Sequence, residues 1–186
     1  MIRIISGTHK GRRILAPKQM EVRPTTDYAK ESLFNILNNL YDFSEIRALD
    51  LFSGTGAISY ELASRGCEDI TAVDSNVYAW KFIQETKDKL GFSNRIKVIK
   101  GNAFSFLKAP AGNGYDLIFA DPPFDMKNTG QLPELVFAQQ WLKPGGRFVL
   151  EHPHDAELPV SEHFLEKRTY GNVNFSIYGR TETPAL

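Results

Sequence analysis

"RALDLFSGTGAISYELASR", residues 47–65, decides the fold. Arg47–Phe52 is an apolar run of strand length, and Ala57–Arg65 carries the spacing of a helix. Between them Gly54 and Gly56 let the backbone approach a ligand closely, and the following helix offers unpaired N–H groups. The dinucleotide fingerprint wants a third glycine three positions beyond the second. Ser59 stands there, which disfavours a nicotinamide cofactor.

The same alternation continues downstream. Strands are expected at Ile70–Asp74, Ile96–Ile99, Asp116–Ala120 and Arg147–Glu151, the last after a Pro-Gly-Gly turn at 144–146. Helices fall at Val77–Leu90, around Phe104–Leu107 and near Leu132–Leu142. This rhythm predicts an α/β chain with a parallel sheet and helices on both faces. Phe164–Arg168 and Val173–Tyr178, joined by Tyr170-Gly171-Asn172, break the rhythm and read as an antiparallel hairpin closing the sheet edge. Upstream, Ile2–Ile5 and Arg13–Leu15 flank a glycine-bounded turn, the pattern of a β-hairpin. Thr26 or Asp27 can then cap a helix in which Ala29, Leu33, Ile36, Leu37 and Leu40 share one face.

The 186 residues suit one domain with a small appendage, and the formal net charge is zero. The charge is unevenly spread. Residues 1–30 hold seven Lys/Arg against two acids, leaving fifteen basic and twenty acidic residues for the rest. That is the distribution of a basic arm on a nearly neutral body. The expected division is a hairpin and linker at 1–24 and a catalytic domain at 25–186. Cys67 is the single cysteine, so there is neither a disulfide framework nor a thiolate zinc site. Without a signal-like start or a membrane-length apolar run, the expectation is a cytoplasmic protein that uses no membrane. Trp80 and Trp141 read as core residues on helical faces, Lys87 as part of a solvated helix face, and His152 and His154 as surface residues rather than metal ligands. No metal is expected.

A doubly wound sheet binds ligands beyond the carboxyl ends of its strands. Asp74 ends the second strand, twenty-four residues after Asp50, where a carboxylate can accept from both ribose hydroxyls; with Ser75-Asn76 following, it can also cap a helix. Asn102-Ala103 ends the third strand, and Asn102 suits an adenine edge or a helix cap equally. Asp50 beside Phe52, Ser53, Gly54 and Gly56 suits a cationic ligand better than a pyrophosphate, which it would repel. The ligand these residues describe is an adenosyl compound without phosphates, and S-adenosylmethionine fits.

The fourth strand runs into Asp121-Pro122-Pro123-Phe124, which no sheet ladder can continue. An exocyclic amine on a base is a poor nucleophile. The Asp121 carboxylate and the Pro122 carbonyl could accept its two hydrogens and stabilise the charge developing on nitrogen. The prolines fix that geometry and Phe124 can stack on a base turned out of its helix. Glu151 ends the fifth strand, either lining this pocket or solvated.

Asp50–Gly56, Asp74, Asn102-Ala103 and Asp121–Phe124, in this order, resemble class I S-adenosylmethionine-dependent methyltransferases acting on amino groups. With Arg3–Arg13 and Arg23–Asp27, the chain is similar to the RsmD family of bacterial small-subunit ribosomal RNA guanine-N2 methyltransferases, over Arg3 to about Tyr178. The resemblance implies a Rossmann-like, seven-stranded, mostly parallel sheet with a reversed last strand, preceded by an RNA-binding hairpin. It also implies guanine 966 of 16S RNA as target, in the small subunit or its assembly intermediate, and S-adenosylhomocysteine as product. On this reading Arg3, Lys10, Arg12, Arg13 and Arg23 meet RNA, and the protein acts as a monomer. Two other readings stay open: methylation of adenine N6 or another amino group on DNA or protein, and a non-catalytic RNA-binding scaffold.

Overall fold

The computed structural model describes residues 1–17, 20 and 26–180. Seven strands form one sheet in the order β5-β4-β3-β6-β7-β9-β8. They are β3 (Arg47–Leu51), β4 (Asp69–Asp74), β5 (Ile96–Lys100), β6 (Tyr115–Ala120), β7 (Leu142–Pro153), β8 (Phe164–Tyr170) and β9 (Val173–Tyr178). β3 through β7 are parallel, and β9 runs against both of its neighbours. Beside them, β1 (Ile2–Arg3) and β2 (Arg13–Ile14) form the two-stranded antiparallel hairpin. The helices are α1 (Asp27–Asn38), α2 (Ala57–Ser64), α3 (Val77–Lys89), α4 (Ala103–Leu107) and α5 (Leu132–Ala138).

The central strands are mostly apolar because both faces of the sheet are covered. Ala48, Leu117, Phe119 and Val149 meet α1 and α2 on one face. Leu49, Leu51, Ile118 and Leu150 meet α4 and α5 on the other. β9 slots between β7 and β8, and all six of its residues are buried. β8, left at the edge, presents Glu166, Lys167 and Arg168, charges that discourage pairing with another chain.

Local details depart from the sequence reading for identifiable reasons. The helix expected to reach Leu142 ends at Ala138, because Gln140 takes a left-handed φ of 57° and turns the chain. Trp141 therefore lies off the helix, buried, donating its indole N–H to the Leu107 carbonyl at 2.9 Å. The Pro-Gly-Gly turn does not precede β7 but interrupts it. Between Leu142, opposite Tyr115, and Arg147, opposite Leu117, the register jumps, so residues 143–146 bulge out of the strand. Thr26 caps α1 by accepting from Ala29 N–H, but its inner face takes Lys30 and Phe34 while Leu40 is exposed. Lys87 is not simply solvated, since its ammonium donates to the Ile96 carbonyl at 2.9 Å.

The strand order reverses at β3, whose neighbours are β4 on one side and β6 on the other. The crevice above the carboxyl ends of β3 and β6 is where such a sheet binds its ligands.

Candidate active site

After Leu51 the chain turns through Phe52-Ser53-Gly54-Thr55-Gly56 into α2. Gly56, at φ 78°, is the N-cap of α2 and has no side chain with which to cap it. Asp50 does so from β3: Ser59 N–H and Oγ donate to its Oδ2 at 3.2 and 2.6 Å. A carboxylate at a helix N-terminus is favoured by the free N–H groups and the helix dipole. Yet Asp50 is buried, and burial pushes its pKa up to about 7; nearby Asp74 adds to the rise and the Ser59 bonds oppose it. The sequence reading assigned Asp50 to the ligand and missed this capping role, although the side-chain-free cap at Gly56 was the signal for it.

Asp74 holds the turn from β4. Its Oδ2 accepts from Gly54 N–H at 2.7 Å and its Oδ1 from Asn76 N–H at 2.8 Å. Phe52 sits at a left-handed φ of 57°, a conformation that costs a bulky residue on the order of 1–2 kcal/mol. Such strain concentrates at ligand sites. Ser53 points to a ligand, since its hydroxyl is buried and lacks a hydrogen-bond partner among the described residues. Buried polar atoms are rarely left so. Ser75 is exposed beside Asp74, and Asn102 caps α4, accepting from Ser105 N–H at 3.1 Å just ahead of buried Ala103.

The Asp121–Phe124 turn meets this one directly. Leu51 pairs with Ala120, and Asp121 N–H extends the ladder to the Leu51 carbonyl at 3.4 Å. Asp121 is half-buried, Pro122 buried, and Phe124 37% exposed. Met126 N–H donates to the Pro123 carbonyl at 2.9 Å, which fixes the turn.

Pro122, Pro123 and Phe124 share a cavity of about 210 Å³ with Lys127, Glu151 and His152. Glu151 is buried, so it lines the pocket rather than being solvated. His152 is not the surface residue expected from sequence but is 2% exposed. Its Nδ1 lies 2.9 Å from the Pro153 carbonyl, which can only accept, so Nδ1 carries the proton and Nε2 accepts from Ser176 Oγ at 2.8 Å. Burial lowers its pKa and keeps it neutral. Among the described residues no group of three or more His, Cys, Asp or Glu side chains could hold a metal ion.

The hairpin is seated on α2. Buried Glu61 accepts from Ile5 and Ser6 N–H at 2.7 and 3.0 Å and from Arg65 Nε at 2.8 Å, with Lys30 Nζ 4.0 Å away. Ser64 Oγ accepts from His9 N–H and donates to the Ser6 carbonyl. Ile2 and Ile4 are buried beneath. Lys10, Arg12 and Arg13 are exposed, and Arg3 lies directly opposite Arg13 while bonding Asp27 at 2.8 Å. Arg23 lies outside the described residues. The sequence reading missed Glu61, because nothing local marks a helix glutamate as buried.

The family model described as Conserved hypothetical protein 95 matches residues 2–179. Ribosomal RNA small subunit methyltransferase D of Buchnera aphidicola subsp. Baizongia pistaciae is 33% identical over 181 residues, covering 95% of this chain and 91% of its own. The Escherichia coli K12 protein of the same name is 30% identical over 96% of this chain and 90% of its own. The chain belongs to this family, RsmD. The solved structure of a hypothetical protein from Thermus thermophilus superposes with a TM-score of 0.83 at 28% identity, covering 97% of this chain and all of that one. The family match begins at residue 2, so it takes in the hairpin segment as well as the two turns at the switch point.

Proposed function

We propose that the protein transfers a methyl group from S-adenosylmethionine to the exocyclic N2 of a guanine in small-subunit ribosomal RNA. The observation that carries this reading is the Asp121-Pro122-Pro123-Phe124 turn bonded through Asp121 N–H to Leu51, directly beside the glycine turn. When bound, S-adenosylmethionine supplies an electrophilic methyl on a sulfonium, and the C–S bonding pair leaves with sulfur to give S-adenosylhomocysteine.

The chain's own residues do the rest. Asp74 has bonded the turn through single lone pairs and keeps others for ribose hydroxyls, while the Ser53 hydroxyl gains the partner it lacks. The Asn102 amide faces the adenine edge. Asp121 Oδ and the Pro122 carbonyl accept the two N2 hydrogens, which draws the nitrogen lone pair out of the ring and aims it at the methyl. As the new N–C bond forms, the positive charge on N2 is met by the Asp121 carboxylate, which takes up the proton. Phe124 stacks on the flipped base.

Exposed Lys10, Arg12 and Arg13 supply cations for a phosphate track, while Arg3, opposite Arg13, already pairs with Asp27 at 2.8 Å. Replacing Lys10, Arg12 and Arg13 together with Ala should weaken binding to unmodified small-subunit particles and flatten its dependence on salt, with donor affinity unchanged. Filter binding over a salt series checks this.

A pH dependence follows from Asp50. With the carboxyl near 7 in the free protein, a ligand bearing an ammonium group favours its ionised form and lowers its pKa. Binding of S-adenosylhomocysteine should therefore tighten as pH rises from 6 to 8, by up to about tenfold per unit below the free pKa, and release a proton. In Asp50→Asn the affinity should be flat across that window. Titration calorimetry in two buffers reads both effects, and a flat wild-type profile would leave Asp50 as a helix cap alone. For the ligand-free fold the sign is opposite. Its raised pKa makes this group's contribution to stability full below about pH 4 and lost as pH climbs through 7.

The test of the reading as a whole is nucleoside analysis after incubating unmodified small-subunit particles with labelled donor. N2-methylguanine is expected, with little label on short linear RNA or duplex DNA. Label in N6-methyladenine, or on protein, would overturn it.

A further inference from the structure

We propose that Glu151 selects guanine by accepting the N1–H of the target base while Asp121 and the Pro122 carbonyl hold its N2 amine. This rests on the guanine-N2 reading above and names the residue that recognises the base. Ala120 and Leu150 are the last residues paired between β6 and β7, and Asp121 and Glu151 follow them. Residues so placed lie about 5 Å apart along the sheet and on the same face. Glu151 lines the same cavity as Pro122, Pro123 and Phe124 and is 2% exposed. Its backbone is fixed, since β9 continues the pairing through Glu151–Phe175 and His152–Asn174.

The chemistry of the base explains a carboxylate there. The guanine edge presents two adjacent donors, the N2 amine and N1–H, and a carboxylate only accepts. Adenine puts a lone pair at N1, and cytosine puts one at N3, so either would oppose the carboxylate. Burial sharpens the contrast, because an unmet or repelled group in a dry pocket costs more than it would in water. A site built to bond one hydrogen rejects the analogue lacking it far more strongly than a shape-matched apolar pocket can. Neighbouring His152 is held neutral, with its two ring nitrogens engaged by Pro153 and Ser176.

2-Aminopurine tests the assignment, because it keeps the 2-amino group and carries a bare lone pair at N1. Particles would be reconstituted with guanine or 2-aminopurine at the nucleotide that the wild-type protein methylates. The wild type should prefer guanine by about a hundredfold or more in kcat/KM. Glu151→Gln, whose amide oxygen can still accept N1–H while its NH2 can donate to that lone pair, should keep part of its activity on guanine and gain activity on 2-aminopurine, abolishing the preference. S-adenosylhomocysteine affinity should not change. A merely structural role would depress both substrates equally. An unchanged preference in Glu151→Gln, or a wild type indifferent to the two bases, overturns the inference. A wild type that makes no N2-methylguanine on any particle overturns the underlying reading instead, and the inference with it.

Discussion

Asp121→Ala should leave S-adenosylhomocysteine binding nearly intact while lowering single-turnover methyl transfer on the order of a hundred- to a thousandfold. That is the scale of removing one group that stabilises charge only as the transition state forms. The separation is expected because Asp121 lies on the acceptor side. Its N–H bonds the Leu51 carbonyl, a contact that alanine keeps, so the two turns stay joined. The donor turn takes its support from Asp50, Asp74 and the Val73 carbonyl, none of which the substitution touches. Calorimetry and rapid-quench rates on the same preparation distinguish the two effects. An active Asp121→Ala protein would make the turn a rigid strand end with no part in the chemistry.

Gly7→Ala should damage RNA binding and stability together. Gly7 has φ 79°, and a Cβ there would lie 1.8 Å from the Ser64 carbonyl oxygen, a backbone atom of α2 that cannot swing aside. Either the hairpin lifts or the helix end deforms. Lifting breaks the Ser64 bonds to Ser6 and His9 and exposes the buried Glu61 to the loss of its partners at Ile5 and Ser6. Strained backbone plus overpacking puts the cost at about 2–4 kcal/mol. Gly11 is the internal control. Its φ is 82°, but a Cβ there meets nothing within 4 Å, so Gly11→Ala should cost only about 1 kcal/mol of strain. Urea midpoints and particle affinity for the two variants check the contrast; equal losses would mean that steric contact with α2 is not what seats the hairpin.

How much of this could be read from the sequence depends on the range of the interaction involved. β3, β4 and β6 were legible because strands covered on both faces are mostly apolar, and Gly54 and Gly56 were legible because backbone conformation is a local property. The end of α5 was not, since Gln140 adopts a left-handed conformation that its residue type does not announce. Pro144-Gly145-Gly146 has the composition of a turn, yet the neighbouring strand carries the ladder past it, and only the register reveals a bulge. At the site, Asp121–Phe124 stood out by chemistry alone. Glu61 and His152 did not, because their burial is set by partners far along the chain: the hairpin for one, and β9 for the other.

The seating of the hairpin also bears on how the chain reaches its native state. Its anchors, Glu61 and Ser64, lie 55–58 residues beyond the segment they hold. As the chain is synthesised, the basic hairpin segment emerges ahead of α2 and has nothing to dock against until that helix has followed it and packed on β3. Such long-range closures are the slow ones, since loop entropy must be overcome before the contact gives anything back. The hairpin residues, made before α2, are thus fixed only after it, and their cations stay loose until the helix that opens at the glycine turn is in place to receive them.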